Sequence, residues 1–227
     1  MLAKKYLSEV VSVSSSLKNI YTVEFRSLGR TYKFVPGQFL HLALDDRYDG
    51  IGQWPESRCF SMQSNPGEEQ IRITYSAKGR FTKEMEKVLQ VGTKLWLKLP
   101  YGELFSKVLP RNKVVFIAGG TGITPFLSLF SDSSFEDYKD VSIYLGFRSK
   151  EHNIYEKELK SCNIVSKEVN YFYENENGLI DIDSIYNDHG IECQYIISGP
   201  PQMITFFKDR LLINGVHKNN IITDDWE

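Results

Sequence analysis

The spacing of apolar residues changes near Leu109-Pro110, and this change limits the possible folds more than any other feature of the sequence. Before it, short β-rich runs alternate with turns rich in Gly, Pro, Asn and Asp, which is typical of a small antiparallel barrel. The runs cover residues 10–13, 20–25, 38–44, 58–62, 70–75 and 94–99. One helix interrupts them, because Phe81, Met85, Val88 and Leu89 have the spacing of a single buried helical face.

After Leu109-Pro110, predicted strands alternate with predicted helices. The strands cover residues 113–118, 141–147, 165–173, 195–198 and 221–223; one helix opens near Thr124 and others cover 151–159 and 201–213. Such alternation indicates a parallel sheet, because parallel neighbours need a crossover to return the chain. We therefore predict two domains, an N-terminal antiparallel β-barrel over residues 1–107 and a C-terminal α/β parallel-sheet domain over residues 108–227.

The composition excludes several function classes. The chain has 27 Lys and Arg against 29 Asp and Glu, so it lacks the basic surface that nucleic acid requires. Lys4 and Lys5 interrupt the amino end before a signal peptide could form, and no apolar run reaches membrane-spanning length, so we expect a cytoplasmic protein without membrane insertion. Three widely spaced cysteines and four scattered histidines argue against a disulfide framework and a metal site. The oligomeric state stays open.

A glycine-rich turn follows the first strand of the second half. It reads Gly119-Gly120-Thr121-Gly122-Ile123-Thr124-Pro125 and runs into an apolar helix. Glycines let the backbone approach a ligand closely, and the N–H groups at a helix start favour a pyrophosphate. Pro125 suits a first helical turn but stands where the usual dinucleotide fingerprint has a third glycine. The turn is either a structural turn or a phosphate cradle, and the strand and helix around it favour the cradle.

Four segments, read together, resemble the ferredoxin–NADP reductase superfamily of FAD-containing reductases. Arg58-Cys59-Phe60-Ser61 resembles the Arg-x-Tyr-Ser signature, and Gly79-Arg80-Phe81-Thr82 resembles the flavin-phosphate turn. Gly119 to Pro125 matches the GGTGITP turn, and Ser198-Gly199-Pro200-Pro201-Gln202-Met203 resembles the Cys-Gly-Pro-Pro-x-Met segment. The segments span nearly the whole chain in the order that the family has.

The resemblance implies an FAD site in the first domain. Arg58 would bind the pyrophosphate, Phe60 would lie against the isoalloxazine ring, and Ser61 would offer its hydroxyl to the flavin N5. Gly79 and the N–H groups of Arg80, Phe81 and Thr82 would bind the flavin phosphates, and the further expected contacts are Cys59, Ile73 and Tyr75. A plainer interpretation makes Arg58 a surface charge beside Glu56, Phe60 and Phe81 core residues, and Thr82 a helix N-cap.

The resemblance also implies an NAD(P)H site in the second domain. Gly119, Gly120, Thr121, Gly122, Ile123, Thr124 and Pro125 would hold the pyrophosphate, with further contacts from Arg148, Gly199, Pro200 and Met203. Ser198 would lie beside the nicotinamide, and Trp226 would either cover the flavin face or close the seam between domains. The implied catalytic residues are thus Ser61, Ser198 and Trp226.

Two residues depart from the family pattern. Phe60 replaces the common Tyr, which removes a phenolic hydroxyl but keeps the aromatic face, so we expect flavin binding to survive. Ser198 replaces a Cys, which removes a polarizable sulfur beside the nicotinamide. A slower hydride transfer would follow from the second change.

The acidic run Tyr171 to Gly178 contains no Arg, so it would repel a 2′-phosphate, and we favour NADH over NADPH; Arg148 keeps NADPH open. The predicted function is an FAD-containing NAD(P)H-dependent reductase. Because the sequence has no four-cysteine ferredoxin segment, single electrons would pass to a separate acceptor such as a ferredoxin, a flavodoxin or an oxygenase component. Two alternatives remain, a flavin reductase that uses free flavin as substrate and a non-catalytic flavin- and nucleotide-binding subunit of a larger complex.

Overall fold

The computed structural model describes residues 2–45, 47–164 and 167–224. The chain divides by internal contacts into two compact units. The first contains Met1–Glu103 and Thr124–Asp132, and the second contains Leu104–Ile123 and Ser133–Glu227. The domain boundary expected at residues 107 and 108 stays a prediction.

The first unit is built on a six-stranded antiparallel sheet, which confirms the six predicted strands. Its strands are β1 (Lys4–Leu17), β2 (Ile20–Ser27), β3 (Phe39–Ala43), β4 (Ser57–Ser61), β5 (Gln70–Ser76) and β6 (Lys94–Tyr101). Their order across the sheet is β4-β3-β6-β1-β2-β5. The strands β4 and β5 therefore stand at the two ends of the sheet.

The chain just after β4 joins these two ends. The Gln63 backbone N–H donates to the Arg72 carbonyl over 2.8 Å, and the Thr74 hydroxyl donates to Gln63 Oε1 over 2.6 Å. These bonds bring β4 and β5 together and give the sheet a barrel-like form. The interior is filled by fully buried apolar side chains, among them Leu40, Leu42, Ile71, Ile73 and Leu97.

The predicted barrel helix is α1 (Arg80–Val88). Its buried residues Phe81 and Met85, together with Leu89 just after its end, belong to the barrel core cluster. Burying each such side chain stabilises the fold by about 1.5–3 kcal/mol. The helix thus covers part of the barrel core, and this fixes the position of its first turn.

The second unit contains a five-stranded parallel sheet, as predicted. The strands are β7 (Asn112–Gly119), β8 (Lys139–Phe147), β9 (Glu168–Tyr173), β10 (Gln194–Ser198) and β11 (Ile221–Thr223), in the order β11-β10-β7-β8-β9. The order runs outward from β7 in both directions, since β8 lies on one side of it and β10 on the other. A doubly wound sheet binds its ligands where the strand order reverses in this way.

The helices after the barrel are α2 (Thr124–Phe130), α3 (Glu156–Ser161), α4 (Ile182–His189) and α5 (Pro201–Ile213). The contacts of α2 group it with the first unit. The apolar side chains of α4 and α5 share one core cluster with β7 and β10. A bidentate ion pair joins these helices, with Arg210 Nη2 2.7 Å from Asp183 Oδ2. No helix in the described residues is long and apolar enough to cross a membrane.

One predicted helix needs correction, and one observed helix was not predicted. A helix over 151–159 is wrong: the structure has a 3-10 turn, Lys150–His152, and then α3 from Glu156. Asn153 separates them with ψ near 68°, outside the helical range, consistent with the preference of Asn for turns. The helix α4 was not predicted, although the Asp181 side chain caps it by accepting from the Asp183 N–H over 3.0 Å.

Candidate functional site

Three of the segments assigned to the flavin site meet within the first unit. Because side chains alternate along a strand, Arg58 and Phe60 share one face of β4. The Arg58 guanidinium carbon lies 5.1 Å from the centre of the Phe81 ring, at the start of α1. The Phe60 ring centre lies 6.0 Å from that of Tyr75 on β5. The structure therefore brings β4, β5 and the first turn of α1 into one region.

Cys59 and Ile73 occupy other surroundings. The Cys59 sulfur lies 3.6 Å from His41 Nε2, on the face of β4 opposite to Arg58 and Phe60, and burial raises the pKa of its thiol. Ile73 is fully buried in the barrel core. Any contact that Cys59 makes with a ligand at Arg58 goes through its backbone. Ser61 is the last residue of the strand and is partly exposed.

The first turn of α1 has the features of an anion site. Gly79 is the N-cap, and the Thr82 hydroxyl accepts from the Lys78 and Gly79 N–H groups over 3.0 and 3.1 Å. Thr82 is therefore the third helical residue, and its interpretation as the N-cap is wrong. Within the described part of the chain, the backbone N–H groups of Arg80, Phe81 and Thr82 have no acceptor. This is usual for the first turn of a helix, whose N–H groups have no partner within the helix.

The two arginines of the site share a carboxylate. Arg80 Nη2 lies 2.6 Å from Glu56 Oε1 and 2.8 Å from Oε2, and Arg58 Nη2 lies 3.1 Å from Oε1. The hydrogen bond from Arg80 and the charges of both arginines hold the pKa of Glu56 below its ordinary value. Arg58 is thus paired with Glu56, as the plainer interpretation expects, and it also contacts the first turn of α1 through Phe81.

The hydroxyl of Tyr75 is an unpaired polar group in this region. Tyr75 is only 3 % exposed, and its phenolic oxygen has no hydrogen-bond partner among the described residues. Burial is also the main reason that its pKa is raised. Buried hydroxyls are nearly always hydrogen-bonded. The Tyr48 and Tyr138 hydroxyls also lack a partner among the described residues, so it is the position of Tyr75 next to Phe60 that fits a site completed by a polar ligand.

In the second unit, the carboxyl ends of three neighbouring strands converge. The parallel register sets Ala118 of β7 opposite Ser198 of β10, and Ile197 opposite Thr223 of β11. The glycine turn, the Ser198–Met203 segment and Asp224 therefore leave the sheet side by side. This is the edge of a parallel sheet where α/β proteins bind nucleotides.

The glycines of the turn allow this convergence. A Cβ atom on Gly122 would lie 2.5 Å from the Gly199 N and Cα atoms, and one on Gly119 would lie 2.8 Å from the Met203 sulfur. These two glycines are thus required by close packing inside the protein. Gly120 differs, because its φ is +55° and its side-chain position faces open space. A 3-10 turn, Gly120–Ile123, leads from here into α2, with Thr124 and Pro125 at its start.

Ser198 makes a buried hydrogen bond that the sequence did not reveal. Its hydroxyl donates to Asp224 Oδ2 over 3.0 Å, and the Asp224 N–H donates to the Ile197 carbonyl over the same distance. Ser198 and Asp224 are 2 % and 7 % exposed. The only sequence signal was an acidic residue directly after the last predicted strand. Trp226, the expected lid, lies outside the described residues.

The acidic run expected to select NADH is bonded to the end of β8 and is paired with one cation, Lys150. The Glu174 and Asn175 N–H groups donate to the carbonyls of Phe147 and Arg148, at the end of β8. Lys150 Nζ lies 2.9 Å from Glu176 Oε2. Part of the negative charge is therefore compensated, which the run by itself could not indicate. The Arg148 side chain is exposed and forms no ion pair with the described residues.

The described residues contain no group of three or more His, Cys, Asp or Glu side chains suited to a metal ion. Each unit thus offers its own candidate site: the antiparallel barrel bears a helix turn suited to an anion, and the parallel α/β sheet bears a glycine turn at its switch point. This combination defines the two-domain oxidoreductases that bind a flavin on the barrel and a nicotinamide nucleotide on the α/β sheet.

Comparison with known proteins agrees with this class. Residues 116–209 match the model of the oxidoreductase NAD-binding domain. Reductase component 1 of terephthalate 1,2-dioxygenase from Comamonas sp is 27 % identical over 151 residues, which cover 64 % of this chain and 42 % of the relative. The reductase component of propane 2-monooxygenase from Rhodococcus jostii (strain RHA1) is 27 % identical over 215 residues, which cover 85 % of this chain and 55 % of the relative. The chain therefore spans about half the length of these relatives.

Among solved structures, the ferredoxin NADP+ reductase from Neisseria gonorrhoeae with bound FAD and NADP has the same fold. Its TM-score is 0.80 at 18 % identity, covering 97 % of this chain and 98 % of that one. Residues 116–209 thus carry an oxidoreductase NAD-binding domain, and this domain together with the shared fold supports a place in the ferredoxin–NADP reductase superfamily of FAD- and NAD-binding oxidoreductases. The resemblance inferred from the four sequence segments is thereby confirmed.

Proposed function

We propose that the protein is an FAD-containing reductase that takes hydride from NAD(P)H and passes electrons one at a time to a separate acceptor. The observation that carries this proposal is the meeting of Arg58, Phe60, the orphan Tyr75 hydroxyl and the unpaired first-turn N–H groups of α1 in one region. It joins an anion site, an aromatic face and an unmet hydrogen bond, which are the features that a flavin dinucleotide requires. FAD supplies the chemistry, because it accepts two electrons as hydride and releases them singly.

The barrel residues bind and orient the cofactor. The first-turn N–H groups of α1 would donate to the phosphates, with Arg58 and Arg80 contributing charge. Phe60 would lie against the flavin ring, and Ser61 would donate its hydroxyl to N5. The Tyr75 hydroxyl would replace the phenol that Phe60 lacks, since it is buried beside that ring without a partner.

The second unit would bind the coenzyme at its switch point. The open side of Gly120 leaves room for a pyrophosphate against the backbone. Because the Ser198 hydroxyl donates a hydrogen bond to Asp224, its oxygen would act as an acceptor and bond the carboxamide N–H of a nicotinamide. Asp224 is then a positioning residue, which holds Ser198 in the orientation that accepts. Trp226 remains our candidate for a lid.

We propose NADH as the preferred coenzyme. Glu174 lies in the backbone segment that bonds to the end of β8, where a 2′-phosphate would meet its charge. Arg148 and Lys150 oppose this effect, but Lys150 is already paired with Glu176. We therefore expect a preference for NADH that is modest, about tenfold or less in kcat/KM.

The acceptor is proposed as a protein that carries one electron at a time. The two relatives described above are named as reductase components of oxygenase systems, which supports a ferredoxin or an oxygenase component over a small-molecule substrate. A flavodoxin has the same one-electron chemistry and stays a candidate.

Anaerobic mixing of the flavin-loaded protein with NADH, and separately with NADPH, tests the proposal. Loss of oxidised-flavin absorbance within seconds supports the reductase, and the ratio of the two rates tests the coenzyme preference. A colourless protein that oxidises NADH only when free flavin is added would instead be a flavin reductase. A bound flavin that neither coenzyme bleaches would identify a non-catalytic subunit and contradict the proposal.

A further inference from the structure

We propose that Glu56 is an internal competitor of the FAD diphosphate, occupying the two arginines of the flavin site until the cofactor displaces it. This inference rests on the proposed function, since it concerns how tightly the same site holds FAD. It makes Glu56, which no sequence motif includes, a determinant of flavin affinity.

The geometry supports competition for both arginines at once. Glu56 accepts from Arg80 through both carboxylate oxygens, at 2.6 and 2.8 Å, and from Arg58 through one of them, at 3.1 Å. A guanidinium hydrogen atom that donates to Glu56 cannot donate to a phosphate at the same time. The Arg58 guanidinium also lies over the Phe81 ring, so both arginines are held next to the first turn of α1.

The position of Glu56 is set by the protein around it. Glu56 immediately precedes β4 and follows a loop that is fastened to the barrel. Trp54 Nε1 donates to the Ser57 hydroxyl over 2.9 Å, and Lys5 Nζ donates to the Gly50 and Gly52 carbonyls over 3.1 and 3.2 Å. The carboxylate is therefore presented to Arg58 and Arg80 by bonds on both sides of it in the sequence.

Displacement has a clear electrostatic consequence. A diphosphate brings two negative charges to a site where Glu56 already supplies one, so cofactor and carboxylate repel each other unless Glu56 turns away. The side chains of Glu56 and Arg58 are 50 % exposed and that of Arg80 is 80 % exposed, so Glu56 has room to move into water. The competition therefore lowers affinity without blocking the site.

The test compares Glu56→Gln with wild-type protein, both stripped of flavin, in equilibrium binding of three probes. FAD contains the diphosphate and the flavin ring, ADP contains the diphosphate without the flavin, and riboflavin contains the ring without the diphosphate. All titrations contain saturating NAD+, so that the coenzyme site proposed in the second unit does not bind ADP. We expect Glu56→Gln to lower the Kd for FAD and for ADP by the same factor, about threefold to tenfold, because exposed ion pairs are individually weak. The Kd for riboflavin should not change.

Glu9→Gln is the matched control, because Glu9 pairs with Arg26 over 2.8 Å on the same barrel, in the pair of strands β1 and β2. It should leave all three Kd values unchanged. Weaker binding of FAD and ADP by Glu56→Gln would overturn the inference, since Glu56 would then be orienting the arginines for the phosphates. Unchanged binding of both probes would overturn it as well.

The outcomes separate this inference from the proposed function. If wild-type protein binds FAD and NADH bleaches it, but Glu56→Gln binds no tighter, only the inference fails. If wild-type protein binds no FAD, the proposed function fails, and the ADP comparison still decides whether Glu56 competes for the arginines. Near-ultraviolet circular dichroism of each variant checks that the barrel remains folded.

Discussion

Replacing Gly122 with alanine should destabilise the second unit more than the addition of one methyl group usually does. The added Cβ would lie 2.5 Å from two backbone atoms of Gly199 and 2.6 Å from the Ser198 carbonyl carbon. Carbon atoms in proteins approach no closer than about 3.5 Å without repulsion. The atoms involved are backbone, so no side chain can turn aside to relieve the contact.

The expected magnitude follows from two opposing terms. Forcing a backbone shift in a packed region costs about 1–3 kcal/mol. Alanine also restricts the unfolded chain, which returns about 0.4–1 kcal/mol. We therefore expect Gly122→Ala to lower the free energy of unfolding by about 1–2 kcal/mol. The Kd for NADH should rise as well, because the shift moves the turn proposed to hold its pyrophosphate.

Two other glycines separate crowding from backbone conformation. Gly29 has nothing within 4 Å of its side-chain position and no positive φ, so Gly29→Ala should be neutral or slightly stabilising. Gly120 also faces open space but has φ of +55°, so Gly120→Ala should cost about 1–2 kcal/mol from backbone strain alone. Urea unfolding followed by circular dichroism measures all three. If Gly122→Ala is as stable as Gly29→Ala, the contact with Gly199 is not the reason for this glycine.

Three further changes test single contacts. Tyr75→Phe should weaken FAD binding while leaving the flavin-free protein as stable as before or slightly more stable, because it removes an unpaired buried hydroxyl; fluorescence titration and thermal unfolding measure the two effects. Asp224→Ala should slow flavin reduction by NADH in stopped-flow experiments without changing the Kd for FAD, because Ser198 loses the acceptor that orients it. Glu24→Gln should lower stability at neutral pH but make it less sensitive to acid. Burial raises the pKa of Glu24, but hydrogen bonds from Ser12 and Arg72 lower it further, so the net shift is downward.

The sign of the Glu24 effect follows from that depressed pKa. The stabilising contribution is complete above the ordinary value of 4.5 and is lost as the pH falls through the lower folded-state pKa. Unfolding curves of wild type and Glu24→Gln should therefore converge below pH 4.5, and a constant gap would contradict the assignment. For Tyr75→Phe the contradicting result is unchanged FAD affinity. For Asp224→Ala the contradicting result is an unchanged rate of flavin reduction by NADH. If that rate falls, Ser198→Ala should lower it as well.

The sequence determined the fold class and most of the elements. Strand periodicity predicted all six barrel strands, and the alternation after Leu109-Pro110 predicted the parallel sheet and the helix Pro201–Ile213. These features depend on local propensity and on the side-chain period of each element, which are readable from neighbouring residues. The helix α4 and the break at Asn153 were missed, because capping and tertiary packing decide them more than periodicity does.

The sequence also indicated the segments of the proposed sites, but only the tertiary structure decided how their side chains are paired. Glu56 lies two residues before Arg58 in the sequence, yet its closer partner is Arg80 at the start of α1, which follows β5 in the chain. Asp224 reaches Ser198 only because β10 and β11 are neighbours in a parallel sheet. Both contacts join residues 24 or more positions apart, and no local pattern records which distant charges the folded chain will bring within hydrogen-bond distance.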